Sequence, residues 1–401
     1  MNWPIKKLSE VALINPRRPA LERDDSVDTS FVPMEAVDEV LGEVTQTLTQ
    51  PYSKVKKGYT YFEDGDVIFA KITPCMQNGK HAVVSNLSDN FGFGSTEFHV
   101  VRPSEDIISE WIHYYLRRKQ TLDAAAKTFT GAVGQQRVPA SFLENLEIPV
   151  PHPDVQRQIA ARLKAQLAEV ETARQAAQVQ LSDARLLRAR LITETFDNTN
   201  VAPTLLGDVI LGIQAGKSFQ TSEILAQPYE LGVLKVSAVS WSNFQPDQAK
   251  SLNDYYEPED HHRVCKDDFI ISRANTKELV GAVVLVDRDF PFRLLSDKTL
   301  RLVIDEEKAD KEYLLYALRA PLARNHIEHF ATGTSDSMRN ISQGVITSIP
   351  LVLPSKPEQK DIVQKLKTKL IEIDSIEQSS KAALADIEKL PARILAKAFE
   401  N

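Results

Sequence analysis

Residues 163–198 read LKAQLAEVETARQAAQVQLSDARLLRARLITETFDN, and residues 366–401 read LKTKLIEIDSIEQSSKAALADIEKLPARILAKAFEN. They align without a gap, and 12 of the 36 positions are identical, among them Leu167, Glu169, Leu181, Asp183, Leu187, Arg190 and Phe196. In the first stretch Leu163, Val170, Ala177, Ala184 and Leu191 recur every seven residues. Leu167 and Leu181 add a row at i+4, and Ala173 and Leu187 a row at i+3. The second stretch has Leu366, Ile373, Ser380, Ile387 and Ile394, flanked by Leu370, Ile376, Ala383, Leu384 and Leu390. A seven-residue apolar repeat keeps one stripe facing a partner helix over a long distance. About 40 helical residues span about 60 Å, too far for one compact domain to cover. The spacing therefore predicts two long helices paired with each other, antiparallel as a pseudo-twofold requires. Pro391 predicts a kink or stop around Leu390.

The duplication extends through the whole chain at a period near 202. Leu8-Ser9-Glu10-Val11 is echoed by Leu206-Gly207-Asp208-Val209, and Gly65-Asp66-Val67-Ile68-Phe69-Ala70-Lys71 by Asp267-Asp268-Phe269-Ile270-Ile271-Ser272-Arg273. Glu110–Arg117 matches Glu312–Arg319, Thr130-Gly131 matches Thr332-Gly333, Arg137 matches Arg339, and Ile148-Pro149 matches Ile349-Pro350. A period this long is a duplicated domain with its appendage, not a solenoid. Each copy opens with about 150 residues of mixed signals. Short β-rich runs are bounded by Gly, Asp and Asn, and one helix is expected at 109–127 and its equivalent at 311–330. Proline-rich segments close each domain. The expected fold class is α+β. Two globular α/β-type domains, 1–153 and 200–356, alternate with long helices at 154–199 and 357–401 that form an antiparallel coiled coil.

Composition sets outer limits. The chain has 401 residues, 42% hydrophobic and 26% charged, enough apolar material for real cores. Only Cys75 and Cys265 are present, which excludes a disulfide framework and a Cys-x-x-Cys zinc site and suggests a reducing compartment. No run of about 18 apolar residues predicts a membrane span, and no signal-peptide core is visible, so a cytoplasmic location is expected. The net charge is −7, with −3 in residues 1–200 and −4 in the remainder. That balance argues mildly against a nucleic-acid partner, but binding requires only a local positive face.

This organisation resembles the specificity (S) subunit of type I restriction–modification systems. The resemblance rests on an ordered, duplicated set. It includes Trp3-Pro4 with Leu8–Val11, the run Gly65–Lys71, the Thr-Gly pairs, Ile148–Pro151, and Gln156-Arg157-Gln158-Ile159 with its counterpart Gln359-Lys360-Asp361-Ile362. Phe196 and Phe399 at the helix ends complete it. The resemblance implies a non-catalytic reader of double-stranded DNA. Each domain would read half of a split, asymmetric site. The helices would set the gap and hold two methyltransferase (M) subunits, with restriction (R) subunits outside. S-adenosylmethionine, ATP and Mg would belong to those partners, with no cofactor or metal in this chain.

Residues that could carry chemistry of their own are few. Gly212-Ile213-Gln214-Ala215-Gly216-Lys217-Ser218 looks like a phosphate-binding loop. It has only three residues before Gly216-Lys217-Ser218 where four are needed, and Leu211 stands where the first glycine belongs. The sharper reading is a flexible turn that places Lys217 and Ser218 on DNA phosphates, weighed against an ordinary solvated turn; for the chain as a whole the alternative function is a coiled-coil scaffold or an enzyme with a degenerate phosphate loop. Asn15-Pro16 runs into Arg17-Arg18 rather than the Pro-aromatic end of an adenine methyltransferase loop. Gly92-Phe93-Gly94 lacks a third glycine. His261-His262 near Cys265 is read as a surface pair.

The DNA-contact candidates follow from position and chemistry. Lys71 and Arg273 end equivalent β-runs, and Arg or Lys suits guanine while Asn suits adenine. Thr73, Asn78 and Lys80 follow in the first copy, and Asn275 and Lys277 in the second. Two segments read as flexible loops rich in amides and hydroxyls. One holds Thr130, Gly131, Gln135, Gln136 and Arg137; the other holds Thr334, Ser335, Asp336 and Arg339. Trp241 is a further candidate, weighed against a place in the core.

Overall fold

In the computed structural model, residues 3–132, 135–197, 201–240, 243–253 and 256–400 are described. The chain divides into two compact units, Met1–Val179 with Ser380–Asn401, and Gln180–Ser379. Each unit thus holds one globular domain, the start of the long helix that follows it, and the far end of the other copy's helix.

The domain cores are built on one central strand in each copy. In Val67–Ala70 every residue is buried, as expected of a strand covered on both faces. Alternate side chains point to opposite faces. Val67 and Phe69 join the core that faces the helices, while Ile68 and Ala70 join a second core with Val32, Phe62 and Val100. Phe269–Ser272 repeats the division, with Phe269 and Ile271 on the helix side and Ile270 on the other.

The duplication holds strand by strand. In the first domain, one sheet runs in the order Ala12–Ile14, Phe98–Pro103, Val67–Ala70, His81–Val83. Its counterpart runs Ile210–Ala215, Thr299–Ile304, Phe269–Ser272, Val283–Leu285. A second sheet has Leu48–Pro51, Asp28–Val32, Phe91–Gly94 and Thr60–Glu63, with Asp28–Val32 parallel to Phe91–Gly94; its counterpart holds Gly232–Leu234 parallel to Phe290–Leu294. The second domain adds an edge strand, Thr221–Leu225, that has no partner in the first. Each domain closes on itself where its first strand pairs with its last, Ile5–Lys7 with Glu147–Pro149 and Pro203–Leu205 with Pro350–Val352.

The expected single domain helix is two helices in each copy, Ser109–Leu116 with Lys119–Ala126, and Lys311–Ala317 with Pro321–Phe330. In the second copy Pro321 forces Ala320 into an extended conformation. In the first, Arg118 is extended and Arg117 turns inward, donating from Nη2 to the Glu39 and Val40 carbonyls at 3.1 and 2.7 Å.

The first long helix is continuous from Pro153 to Asp197. The second runs Lys356–Ile387 and restarts as Leu390–Ala398 with Pro391 in its first turn. A proline ring clashes with the carbonyl four residues back, which is Ile387, where the first segment ends. The break therefore falls slightly ahead of the expected Leu390. The seven-residue row forms the seam. Leu163, Ala177 and Ala184 are buried, as are Leu366, Ile373 and Ser380. The expected side rows are only partly right. Leu187, Ile376 and Leu390 are exposed, and so are Ala173 and Ala383; Val363 and Leu370 complete the buried stripe of the second helix. Within the second unit the two helices also meet through Arg188, which pairs with Asp374 and Glu377.

Each helix ends on an aromatic side chain set into the domain of the other copy. Phe399 packs on Trp111 and Tyr115, with ring centroids 4.5 and 5.1 Å apart, and Phe196 packs on Tyr313 at 5.3 Å. Trp111 and Tyr313 are equivalent. Each is pinned by a hydrogen bond to a carbonyl of the proline-rich closing segment, Trp111 Nε1 to Pro149 and Tyr313 Oη to Val352.

Candidate nucleic-acid interface

The residues just after the central strand meet the arginine-bearing segment in each domain. In the first, Thr73 N–H donates to Gln136 O, Val138 N–H to Lys71 O, and Arg137 bridges both Ile72 and Thr130. In the second, Ala274 and Asn275 pair with Asn340 and Arg339, Lys277 N–H donates to Asp336 O, and Ile341 N–H to Arg273 O. Candidates 59 or more residues apart in sequence thus share one surface in each copy.

The second of these segments differs from a flexible loop. Thr332–Ser335 and Met338–Asn340 form a β-hairpin that joins Ala274–Asn275 in a three-stranded sheet. Its approach is so close that a Cβ on Gly333, at φ +157°, would sit 2.2 Å from Met338 O. The reason is backbone pairing: the strand-end residues supply an open edge, and the hairpin satisfies it. Gly131, Gln135 and Thr130 are exposed in the first copy, Ser335 and Asp336 in the second. Thr334 lies within the hairpin strand. Trp241 lies outside the described residues.

The charged groups are arranged differently in the two domains. Arg137 makes a two-pronged contact with Glu97, Nε to Oε2 and Nη2 to Oε1, both 2.8 Å. Those bonds hold the Glu97 carboxyl below its ordinary range. Arg339 instead pairs with Asp336 at 2.6 Å, whose carboxyl is likewise lowered. Among the described residues neither Lys71 nor Arg273 has an ion-pair partner, and both are half-buried. Asn78 and Lys277 are exposed, and Asn78 Nδ2 donates to Glu39 at 3.3 Å. Lys80 is drawn inward, its ammonium donating to the Val37 and Met34 carbonyls. Asn275 is buried, with Oδ1 accepting the Thr276 N–H.

The segment that looks like a phosphate loop is not a free turn. Ile210–Ala215 is a strand paired with Thr299–Ile304, and Lys217 bridges Ser296. A P-loop leads from a strand into a helix whose N-terminus faces the phosphates; here the chain passes into the edge strand Thr221–Leu225. Lys217 and Ser218 are nevertheless exposed. The histidine pair also differs from a surface pair. His262 is buried, its Nδ1 3.1 Å from Tyr256 Oη, because Phe219 packs on its ring. Asn15, at φ +50°, accepts the Val100 N–H and contacts His99 Nδ1, so it is a structural latch.

The sequence matches the family described as type I restriction modification DNA specificity domain twice, over residues 1–180 and 204–385. The chain belongs to this family. The EcoEI specificity subunit of Escherichia coli is 25% identical over 458 residues, covering 91% of this chain and 77% of that protein. The EcoAI specificity subunit of the same organism is 34% identical over 200 residues, covering half of this chain and 34% of that protein. Among solved structures, a chain from work on complex assembly and conformational transition of the type I R-M system superposes with a TM-score of 0.78 at 21% identity, over 100% of this chain and 98% of the other. The HsdS subunit from Thermoanaerobacter tengcongensis gives 0.62 at 20%, over 99% and 96%. These likenesses establish the shared fold, and with the double family match this chain is a type I specificity subunit. Among the described residues no helix is long and apolar enough to cross a membrane.

Two features of this specificity subunit escaped sequence reasoning. Gln156 and Gln359, which belong to the family motif, are buried side chains that tie each long helix to its domain. Lys298, equivalent to Glu97 by strand register (Ala70 pairs with Phe98, Ser272 with Thr299), lies beside Arg273, whose N–H donates to its carbonyl. The motif marks the glutamines without giving their buried role, and only the duplicated register identifies Lys298.

Proposed function

We propose that this chain reads a bipartite, asymmetric double-stranded DNA site, one half with residues 1–153 and the other with residues 200–356. Two M subunits dock on it, R subunits join outside them, and the chain itself catalyses nothing. S-adenosylmethionine, ATP and Mg serve those partners, and the complex works in the cytoplasm. The observation that supports this most is the repeated meeting, in both domains, of a basic strand-end residue and an arginine-bearing segment. Lys71 with Thr73, Gln135, Gln136 and Arg137 forms one reading surface. Arg273 with Lys277, Ser335, Asp336 and Arg339 forms the other, and Lys217 and Ser218 contact phosphate beside it. Arginine and lysine suit guanine edges and amides suit adenine edges, and the sheets beneath hold these groups in place. The paired helices fix the distance between half-sites.

The test is methylome sequencing of a host that expresses this chain with its M subunit. The expected result is methylated adenines in one motif of two fixed parts separated by a fixed number of unread base pairs. A single uninterrupted motif, or methylation by the M subunit alone, would contradict the reading.

A further inference from the structure

One cleft of the second domain, about 340 Å3 in volume, gathers Lys217, Ser218, Lys235, Lys250, Ser296 and Lys298 around itself, with Asp297 as the one carboxylate of the lining among the described residues. Lys250 is spoken for by Glu223 at 2.7 Å. Lys217, Lys235 and Lys298 make no ion pair among the described residues; the Lys217 ammonium lies 5.3 Å from the centroid of the Tyr256 ring. A chain of net charge −7 therefore gathers three ammonium groups in one concave place, with Asp297 in the lining and the Glu223 carboxylate near Lys235. Such a place focuses positive potential and selects anions.

The cleft is built, not incidental. Gly216 brings the chain down onto Leu295 and Ser296 so closely that a Cβ there would lie 2.1 Å from Leu295 O. That contact fixes Lys217 against Ser296. The cleft also adjoins the reading surface, because Lys298 O accepts the Arg273 N–H. Among the described residues the first domain does not repeat this arrangement. Glu97 stands at the position of Lys298, and its carboxylate is taken up by Arg137.

Resting on the function proposed for this chain, we propose that this cleft seats backbone phosphates of DNA and belongs to the second domain alone. The second half-site is then gripped by phosphate contacts that the first does not have. Gly216-Lys217-Ser218 then serves a phosphodiester and not a nucleotide. Lysine suits this task, since phosphate contacts position the duplex and carry no sequence information.

The test uses the full chain assembled with its M subunits and a duplex bearing the motif recovered by methylome sequencing. Each phosphate contact contributes about 0.9 to the slope of log K against log salt, or about 3.5-fold in affinity between 50 and 200 mM. Lys235→Ala with Lys298→Ala should reduce the slope by about 1 to 2 and leave the methylated motif unchanged. Glu97→Lys should not reduce it. Thermal melting of the variant chains establishes that they fold. ATP, titrated into the wild-type chain, should neither bind nor compete with the duplex. An unchanged slope in the folded double variant overturns the proposal, as does an altered motif, which would mean base contact. ATP binding lost in Lys217→Ala overturns it in favour of a nucleotide site. If the wild-type complex shows no preference for the motif duplex, the underlying reading of function falls instead.

Discussion

Gln156 and Gln359 occupy equivalent places in the first turn of each long helix, and both are fully buried. Gln156 Oε1 accepts the Ile108 N–H, and its Nε2 donates to the Asp106 and Pro151 carbonyls. Gln359 does the same with Asp310, Lys308 and Pro354. Each amide thus ties a helix to its domain by satisfying three backbone groups. Gln156→Ala should lower the stability of the chain by about 3 kcal/mol, since buried groups left without partners cost about 1–3 kcal/mol each. Gln158→Ala, on the exposed face, should change it by no more than about 0.5 kcal/mol; urea midpoints of the two variants give the comparison. A second residue-scale effect concerns acid. His81 is fully buried, stacked 4.1 Å from Phe69, and burial with the nearby Arg117 charge pushes its pKa down to about 3. His113 is lowered by the same causes. Both rings are neutral in the folded chain, whereas an unfolded histidine gains its proton near pH 6.5. The unfolded state therefore binds more protons below that value, and stability should fall progressively from about pH 6.5 toward 3. His81→Gln should flatten that fall when urea midpoints are followed against pH; an equal slope would show that His81 does not contribute. The role of the glutamines was not legible in the sequence, because a buried amide leaves no periodic trace.

At the scale of elements, the long helices and their seam were the most legible part, because only a long helix facing a partner keeps a seven-residue apolar repeat in one line over five turns or more. The side rows were less legible, since a few degrees of supercoil decide whether Leu187 or Leu181 faces the partner. The reading segments were least legible. Nothing in Thr-Gly-Thr-Ser-Asp-Ser-Met-Arg announces that an open strand edge at Ala274–Asn275 will convert a polar loop into a hairpin. Ser380 offers a test of the seam. It is buried at a stripe position and its hydroxyl has no hydrogen-bond partner among the described residues. Ser380→Ala removes a desolvated polar group without leaving a large void, so it should be neutral or stabilise by up to about 1 kcal/mol; a loss of more than that in thermal melting would show that the hydroxyl is used. Length is the other property of these helices. Seven residues inserted near Gln175 and seven at the equivalent Gln378 preserve the repeat and add about 10 Å to each helix. With B-DNA rising about 3.4 Å per base pair, the gap in the methylated motif should grow by about three base pairs while both halves stay the same. An unchanged gap would mean that the helices do not measure it.

For the molecule as a whole, the account depends on duplication with divergence. Sheet order, domain closure, the glutamine clamp and the aromatic helix end recur in both copies. The surfaces that would read DNA differ, with Lys71, Gln136 and Arg137 in one and Arg273, Lys277 and Arg339 in the other. A stable frame with unlike reading groups is what an asymmetric two-part target requires, and it places each half of that target under separate control. The most direct measurement is methylome sequencing of two single variants expressed with the M subunit, Lys71→Ala and Arg273→Ala. Each should relax or weaken recognition in one half of the motif only, by about 1–3 kcal/mol where the side chain makes a two-pronged base contact, and the halves affected should be different. If either variant altered both halves, or both variants altered the same half, the claim that each domain reads its own half-site would be contradicted.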